Sequence, residues 1–205
     1  YSGGGHGSGT YIKTRGFHIV LTAAHVTEGS LGDPYEIQGD PNTSVVGVLV
    51  YEDREIDVAA ILVPEIPNKK PMKYRPLKLP SEVGTKIVYS GYPSDLSLLT
   101  IRGSVAGHET IIPGGTVVLL HTYGWFGCSG SGIYDENGRY VGVLWGVSVE
   151  RTPFGIPQIV EDIVWVTPSN LIDENEILSG IIRLSGVSDM HSRRNLRKAA
   201  RKVKR

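Results

Sequence analysis

The chain has 205 residues, is 40% hydrophobic and carries equal numbers of basic and acidic side chains, so its formal charge is zero. That length buries a sizeable core, and no apolar run approaches the roughly 20 residues a membrane-spanning helix needs. Its one cysteine, Cys128, excludes an intramolecular disulfide and a thiolate zinc centre.

In chain order, the glycine-rich start, Gly3-Gly4-Gly5 and Gly7, lacks the Gly-Lys-Ser/Thr ending of a phosphate-binding loop and reads as a flexible arm. Short runs rich in Val, Ile, Leu and Tyr follow, separated by turns holding Gly, Pro and Asp. Candidate strands are 17–22, 44–51, 58–63, 85–91, 100–108, 116–123, 132–134, 140–149 and 158–167. Asn137-Gly138 supplies a hairpin turn that tolerates positive φ. Pro64 to Pro80, with Lys69, Lys70, Lys73 and Arg75, reads as a connection between two halves. Long amphipathic helices are absent from the body, and no repeat or low-complexity tract interrupts it.

Three segments carry chemistry. Gly127-Cys128-Ser129-Gly130-Ser131-Gly132 places a serine between glycines, which lets a loop turn backbone N–H groups toward a developing oxyanion. A serine hydroxyl is a poor nucleophile at neutral pH. It needs an imidazole to take its proton and a carboxylate to fix that imidazole's tautomer. His25 in Leu21-Thr22-Ala23-Ala24-His25-Val26 and Asp57 in Ile56-Asp57-Val58-Ala59-Ala60 supply them. Each residue also has a plain structural reading: His25 as a core histidine, Asp57 as a strand cap, Ser129 as a turn residue. Their coincidence in one chain, in the order His, Asp, Ser, favours the chemical reading.

These motifs resemble those of the chymotrypsin-like (trypsin-fold) serine proteases over residues 8–172. Thr22-Ala23-Ala24-His25, Asp57-Val58-Ala59-Ala60-Ile61-Leu62 and Gly127-Cys128-Ser129-Gly130 match the family's three motifs in its order. Gly7-Ser8-Gly9-Thr10-Tyr11-Ile12 is similar to the opening strand of bacterial and viral members. Thr167-Pro168-Ser169-Asn170-Leu171-Ile172 is similar to the end of the second barrel in high-temperature-requirement proteases. The resemblance implies an all-β protein of two antiparallel six-stranded β-barrels, with the triad between them. The first barrel would span 1–78 with His25 and Asp57, and the second 79–172 with the nucleophile and specificity pocket. Residues 173–205 would form an extension ending in a basic tail.

By the same resemblance, Ser129 is the nucleophile of an endopeptidase working through an acyl-enzyme, and the Gly127 and Ser129 amides form the oxyanion hole. Cys128 replaces the aspartate that often precedes the serine, which removes the partner of a newly freed amino terminus; the cysteine packs behind the loop as a small hydrophobe. Tyr123, six residues before Ser129, falls at the pocket floor, Val143-Leu144-Trp145-Gly146 forms one wall, and Gly124 and Gly146 leave room. His121 is a candidate reader of a glutamine or glutamate. With no carboxylate at the floor, a lysine or arginine side chain would be buried unpaired, so an apolar or neutral polar residue before the cleaved bond is expected.

The neutral total conceals an asymmetry. Residues 186–205 hold eight Lys or Arg against Asp189, about +7, and leave an acidic body. Leu196, Ala199, Ala200 and Val203 fall at helical spacing inside that run. The tail is therefore a candidate contact for RNA, an anionic membrane or an acidic protein face, beside the plainer reading of a solvated terminus. His6, His18, His108, His121 and His191 show no metal-ligand spacing, so neither a metal nor a cofactor is expected. The absent disulfides favour a bacterial, phage or viral protein, or one that works in a reducing compartment, and the start at Tyr1 rather than Met fits a processed product; a virus-encoded intracellular protein is the favoured setting, with a bacterial quality-control or secreted enzyme as the alternative. The alternative to a protease is a catalytically silent module of the same fold that binds peptide or RNA.

Overall fold

The computed structural model describes residues 6–94, 96–112 and 115–184. The basic tail beyond 185 lies outside the described residues. Among the described residues eleven strands form in two groups. β1 (Thr10–Thr14), β2 (Phe17–Thr22), β3 (Pro34–Asp40), β4 (Thr43–Asp53) and β5 (Val58–Leu62) make a sheet in the order β1-β2-β5-β4-β3. β6 (Lys86–Gly91), β7 (Leu99–Ile112), β8 (Gly115–His121), β9 (Gly132–Asp135), β10 (Tyr140–Arg151) and β11 (Pro157–Pro168) close into a six-stranded barrel, β10-β11-β8-β7-β6-β9. All named pairings are antiparallel. The all-β, two-part architecture is the one the sequence implies.

The first half departs from expectation in strand number: five described strands pair there, not six. The prolines at 64, 67, 71, 76 and 80 explain it, because each removes a ladder donor. That segment adds no strand to the sheet: Ile66 packs into its core, Met72 donates its N–H to the Tyr11 carbonyl at 2.8 Å, and isolated bridges join Met72 to Ile12 and Pro76 to Tyr140 of the barrel.

Hydrophobic alternation decides what is inside. Ile12, Ile19, Leu21, Val50, Val58 and Ala60 from the first sheet share one buried cluster with Tyr134, Tyr140 and Val143 from the barrel, so the core runs across the junction of the halves. A helix, α1 (Glu174–Leu184), closes this cluster from outside with Ile177 and Ile181. Asp173 accepts the Asn175 N–H at 2.7 Å through its side chain and caps the helix, while Glu174 sits in its first turn and Arg183 in its last. Gly180 lets α1 lie against β4: a Cβ there would stand 1.8 Å from the Val50 carbonyl oxygen. No helix among the described residues is long and apolar enough to cross a membrane.

The β9–β10 turn beside this junction is held by one carboxylate. Asp135, its side chain 1% exposed, accepts the N–H groups of Asn137 and Arg139 at 2.9 Å each and the Arg139 Nε at 2.6 Å. Burial opposes its charge, but these hydrogen bonds outweigh burial and hold the carboxyl below its ordinary value. A folded-state value below the unfolded one adds stability above the ordinary carboxylate range, and the gain is lost as pH falls through the lowered value. Asp135→Ala is therefore expected to cost about 2–3 kcal/mol at neutral pH. The gap in Tm between the two proteins should narrow on acidification, which thermal melts across pH will check.

Candidate active site

β2 delivers the histidine. Ala23 and Ala24 are fully buried, and a 3-10 turn over Ala24–Val26 swings His25 outward at the strand's end, its side chain 49% exposed. Thr27 locks the turn, its hydroxyl donating to the Ala24 carbonyl at 2.9 Å and to Glu52 at 3.0 Å.

The carboxylate comes from the loop joining β4 to β5. Asp53 accepts the N–H groups of Glu55 and Ile56 at 2.9 and 3.2 Å, tightening that loop. Asp57 then takes a left-handed backbone conformation, φ 54°, which aspartate tolerates better than most residues. Both its oxygens reach His25: Oδ2 lies 2.7 Å from Nδ1, and Oδ1 accepts the His25 backbone N–H at 2.8 Å. Asp53 is occupied by the turn and Glu55 points to solvent, so of the three nearby carboxylates only Asp57 meets the imidazole.

Ser129 sits on the loop between β8 and β9. The loop is strapped from three sides. Ser8 donates its N–H to the Ser129 carbonyl at 2.7 Å and its hydroxyl to the Gly127 carbonyl at 2.6 Å, while Gly130 and Ser131 bond both backbone groups of Leu144 on β10. Gly127 and Gly130 have φ of 92° and 93°, and a Cβ on either would meet a backbone oxygen, of Tyr92 at 2.2 Å and Ser8 at 2.0 Å respectively. Only glycine fits both places. Cys128 turns inward and is fully buried beneath the Tyr89 hydroxyl, 3.8 Å from its sulfur. Ser129 remains part-exposed, its hydroxyl donating over a long 3.4 Å to the Trp145 carbonyl. Among the described residues the N–H groups of Gly127 and Ser129 have no acceptor, while those of Cys128, Gly130 and Ser131 do. Two unspent donors beside a serine hydroxyl form an anion-binding corner.

The structure therefore pairs His25 with Asp57 and places Ser129 on the same glycine-held loop as Gly127. The expected pocket residues are placed differently. Tyr123 is 38% exposed, and its carbonyl, not its ring, meets the interior by accepting the Tyr89 hydroxyl. Burial and then the Glu161 carboxylate push the Tyr123 phenol up. It is not a buried floor. Gly124 offers no room either, because the space its side chain would occupy is taken by methyls of Val164 and Val147. Gly146 does open onto free space. Trp145 contributes its carbonyl near the nucleophile, while its indole turns into the junction core, 5.9 Å from the Trp165 ring. His121, its side chain 69% exposed, faces Asp162 at 3.9 Å on the outer surface.

Ser8, which straps the nucleophile loop, was not apparent as a site residue from sequence; only the Gly-Ser-Gly pattern around it offered a signal. No group of three or more His, Cys, Asp or Glu among the described residues is placed to hold a metal ion.

Comparison with known proteins agrees with this fold. No curated protein matches the chain by sequence. The fold is similar to that of the Rv3671c protease from M. tuberculosis in its active form, at 20% identity and TM-score 0.62 over 89% of this chain and 74% of that one. It is also similar to the HtrA-type protease AlgW with tripeptide, at 20% identity and TM-score 0.65 over 86% of this chain and 55% of that one. A third likeness is to the serine endoprotease from Yersinia pestis, at 18% identity and TM-score 0.63 over 86% and 57%. The chain thus spans little more than half the length of the last two, and likeness at such identity concerns the fold. The model of the trypsin-like peptidase domain family matches residues 7–143, and the chain belongs to that family.

Proposed function

We propose that the chain is a serine endopeptidase in which Ser129 is the nucleophile, His25 the general base and then acid, and Asp57 the group that orients His25. The observation that carries this reading is the doubly held His25–Asp57 pair, with contacts of 2.7 and 2.8 Å, in a chain that also holds a serine on a glycine-built loop. A carboxylate at Nδ1 fixes the ring proton there and leaves the Nε2 lone pair free to accept one. When a peptide binds, the Ser129 hydroxyl exchanges its long contact with Trp145 for the imidazole and adds to the carbonyl carbon. The carbonyl oxygen, now negative, is held by the N–H groups of Gly127 and Ser129. His25 returns the proton to the leaving amine, and water then releases the acyl group by the same steps.

The substrate is a polypeptide, and with no buried carboxylate beside the serine among the described residues an uncharged residue before the cleaved bond is favoured. The virus-encoded setting and the RNA or membrane contacts of the basic tail rest on composition alone, and the similar solved structures are proteases, so the proposal stops at the chemistry. Fluorophosphonate labelling tests it directly. A single adduct mapped by mass spectrometry to Ser129 is expected, and it should be lost in His25→Ala, which removes the group that takes the serine proton. A folded chain that takes no label at Ser129 would instead be a silent binding module.

A further inference from the structure

The two unspent amides beside Ser129 are aimed by what holds the far ends of their peptide groups. A trans peptide is planar, so its N–H points opposite to its C=O, and a bond to the carbonyl fixes the amide. The Gly127 N–H shares its group with the Phe126 carbonyl, which accepts the Ser94 N–H at 2.7 Å. The Ser129 N–H shares its group with the Cys128 carbonyl, which accepts the Ser131 N–H at 3.0 Å. Between them the 127–128 group is held at both ends: Cys128 donates its N–H to Trp125 at 3.0 Å, and the Gly127 carbonyl accepts the Ser8 hydroxyl at 2.6 Å. Glycine at 127 permits this shape, with φ of 92°, but both signs of φ are open to glycine. A partner outside the loop must select one of them.

Ser8 is placed to do so. Among the described residues its hydroxyl is the only side-chain group that bonds the backbone of residues 126–130, and no ion pair there reaches the loop. Ser8 is buried, and the same oxygen accepts the Tyr92 N–H at 3.0 Å, two residues from the Ser94 amide that holds Phe126. One hydroxyl thus ties the nucleophile loop to the segment after β6. The backbone of residue 8 ties it to the histidine's strand as well: its N–H donates to the Ser129 carbonyl at 2.7 Å, and its carbonyl accepts the Thr22 hydroxyl at 2.7 Å at the end of β2. Gly7 packs into the same seam, where a Cβ would lie 2.6 Å from a Val26 methyl and 3.2 Å from the Ser129 carbonyl oxygen.

We propose that Ser8 is a positioning residue: its hydroxyl selects the loop shape in which the Gly127 and Ser129 N–H groups are aimed at the developing oxyanion, so the segment ahead of β1 sets the rate of chemistry from beneath the site. The inference rests on the serine-endopeptidase reading and gives its anion-binding corner a control outside the loop. Ser8→Ala would leave the Gly127 carbonyl and the Tyr92 N–H without this partner, while both backbone bonds of residue 8 persist and keep the fold. Losing one oxyanion donor outright costs about 10²- to 10³-fold. A loop that turns its donor away for much of the time loses part of that.

The test compares full chains of wild type, Ser8→Ala and Ser8→Thr, which keeps the hydroxyl. Second-order labelling of Ser129 by a fluorophosphonate, with folded protein quantified by circular dichroism, should slow by about tenfold or more in Ser8→Ala and stay within about threefold of wild type in Ser8→Thr. The phosphorus NMR resonance of the adduct should shift in Ser8→Ala, because its oxygen loses hydrogen bonds. Amide NMR needs no chemistry: the Gly127 N–H should give one resonance free of microsecond-to-millisecond exchange in the wild type, and should broaden or double in Ser8→Ala while that of Ile12 on β1 does not. Labelling of Ser8→Ala within about threefold of wild type, or equal slowing in Ser8→Ala and Ser8→Thr, would overturn the proposal. So would a Gly127 amide that already exchanges in the wild type, a result that stands even if the alanine variant fails to fold. A wild type that takes no label at Ser129 would overturn the protease reading, and the Gly127 resonances would still decide the role of Ser8.

Discussion

Ser129→Ala is expected to lower kcat/KM by about 10⁴-fold or more while leaving Tm within about a degree of the wild type. The kinetic loss follows from removing the only group that forms the new bond. The thermal outcome follows from what the hydroxyl does in the folded chain: it makes one long hydrogen bond, 3.4 Å, to Trp145, and the loop is held by other groups, at Ser8, Gly130, Ser131 and Leu144. Cys128→Ser is the control and should behave in the opposite way. It places a polar atom in a fully buried position, so Tm should fall. Activity in the folded fraction should stay within about tenfold of wild type, because the change leaves both unspent amides in place. Paired kinetics and melts decide it. Activity surviving in Ser129→Ala and lost in Cys128→Ser would move the nucleophile to the cysteine.

The contrast between these neighbours shows what is legible in such a sequence. The Gly-x-Ser-Gly loop, the Ala-Ala-His turn and the aspartate before Val58 are local devices, in which residue type and backbone shape are tied together by glycines and buried alanines. Reading them needs no knowledge of distant contacts. Most strands follow the same logic, since alternation over residues such as Phe17 to Thr22 states its own period. β3 was passed over because Pro34, Glu36 and Gly39 dilute its pattern to Tyr35 and Ile37, which are only half-buried at the sheet edge. α1 was hidden differently. Its apolar face, Ile177 and Ile181 with Gly180 between, gains meaning only against Val50, far away in the chain.

What surrounds Gly124 is the least legible feature of all. It depends on the pairing of Val147 with Val164, which follows an irregularity between Leu144 and Gly146 that changes the register of β10 against β11. A position counted from Ser129 along one strand therefore says little about which side chain faces Gly124. The same argument explains why Tyr123 gave a misleading floor: adjacent residues on an extended segment face opposite ways, and it is Gly124 that faces the valines.

Asp57→Asn should cost nearly as much as losing the nucleophile, about 10⁴-fold in kcat, whereas Asp53→Asn should cost less than about tenfold. Asparagine tolerates the left-handed backbone at 57, so the loop should keep its shape and the loss should be chemical. One amide oxygen can still accept the His25 backbone N–H that Oδ1 now takes at 2.8 Å. The amide nitrogen then faces Nδ1, now 2.7 Å from Oδ2, and two N–H groups cannot share that contact. The ring escapes by carrying its proton on Nε2, which is the atom that must accept the serine proton, and it also loses the negative charge that stabilises its protonated form. Asp53 has a different task, accepting the N–H groups of Glu55 and Ile56, and an asparagine oxygen performs it equally well. Single-turnover kinetics of the two variants, with circular dichroism to confirm the fold, distinguish these roles. If Asp53→Asn proved the more damaging change, the carboxylate partner of His25 would have to be reassigned.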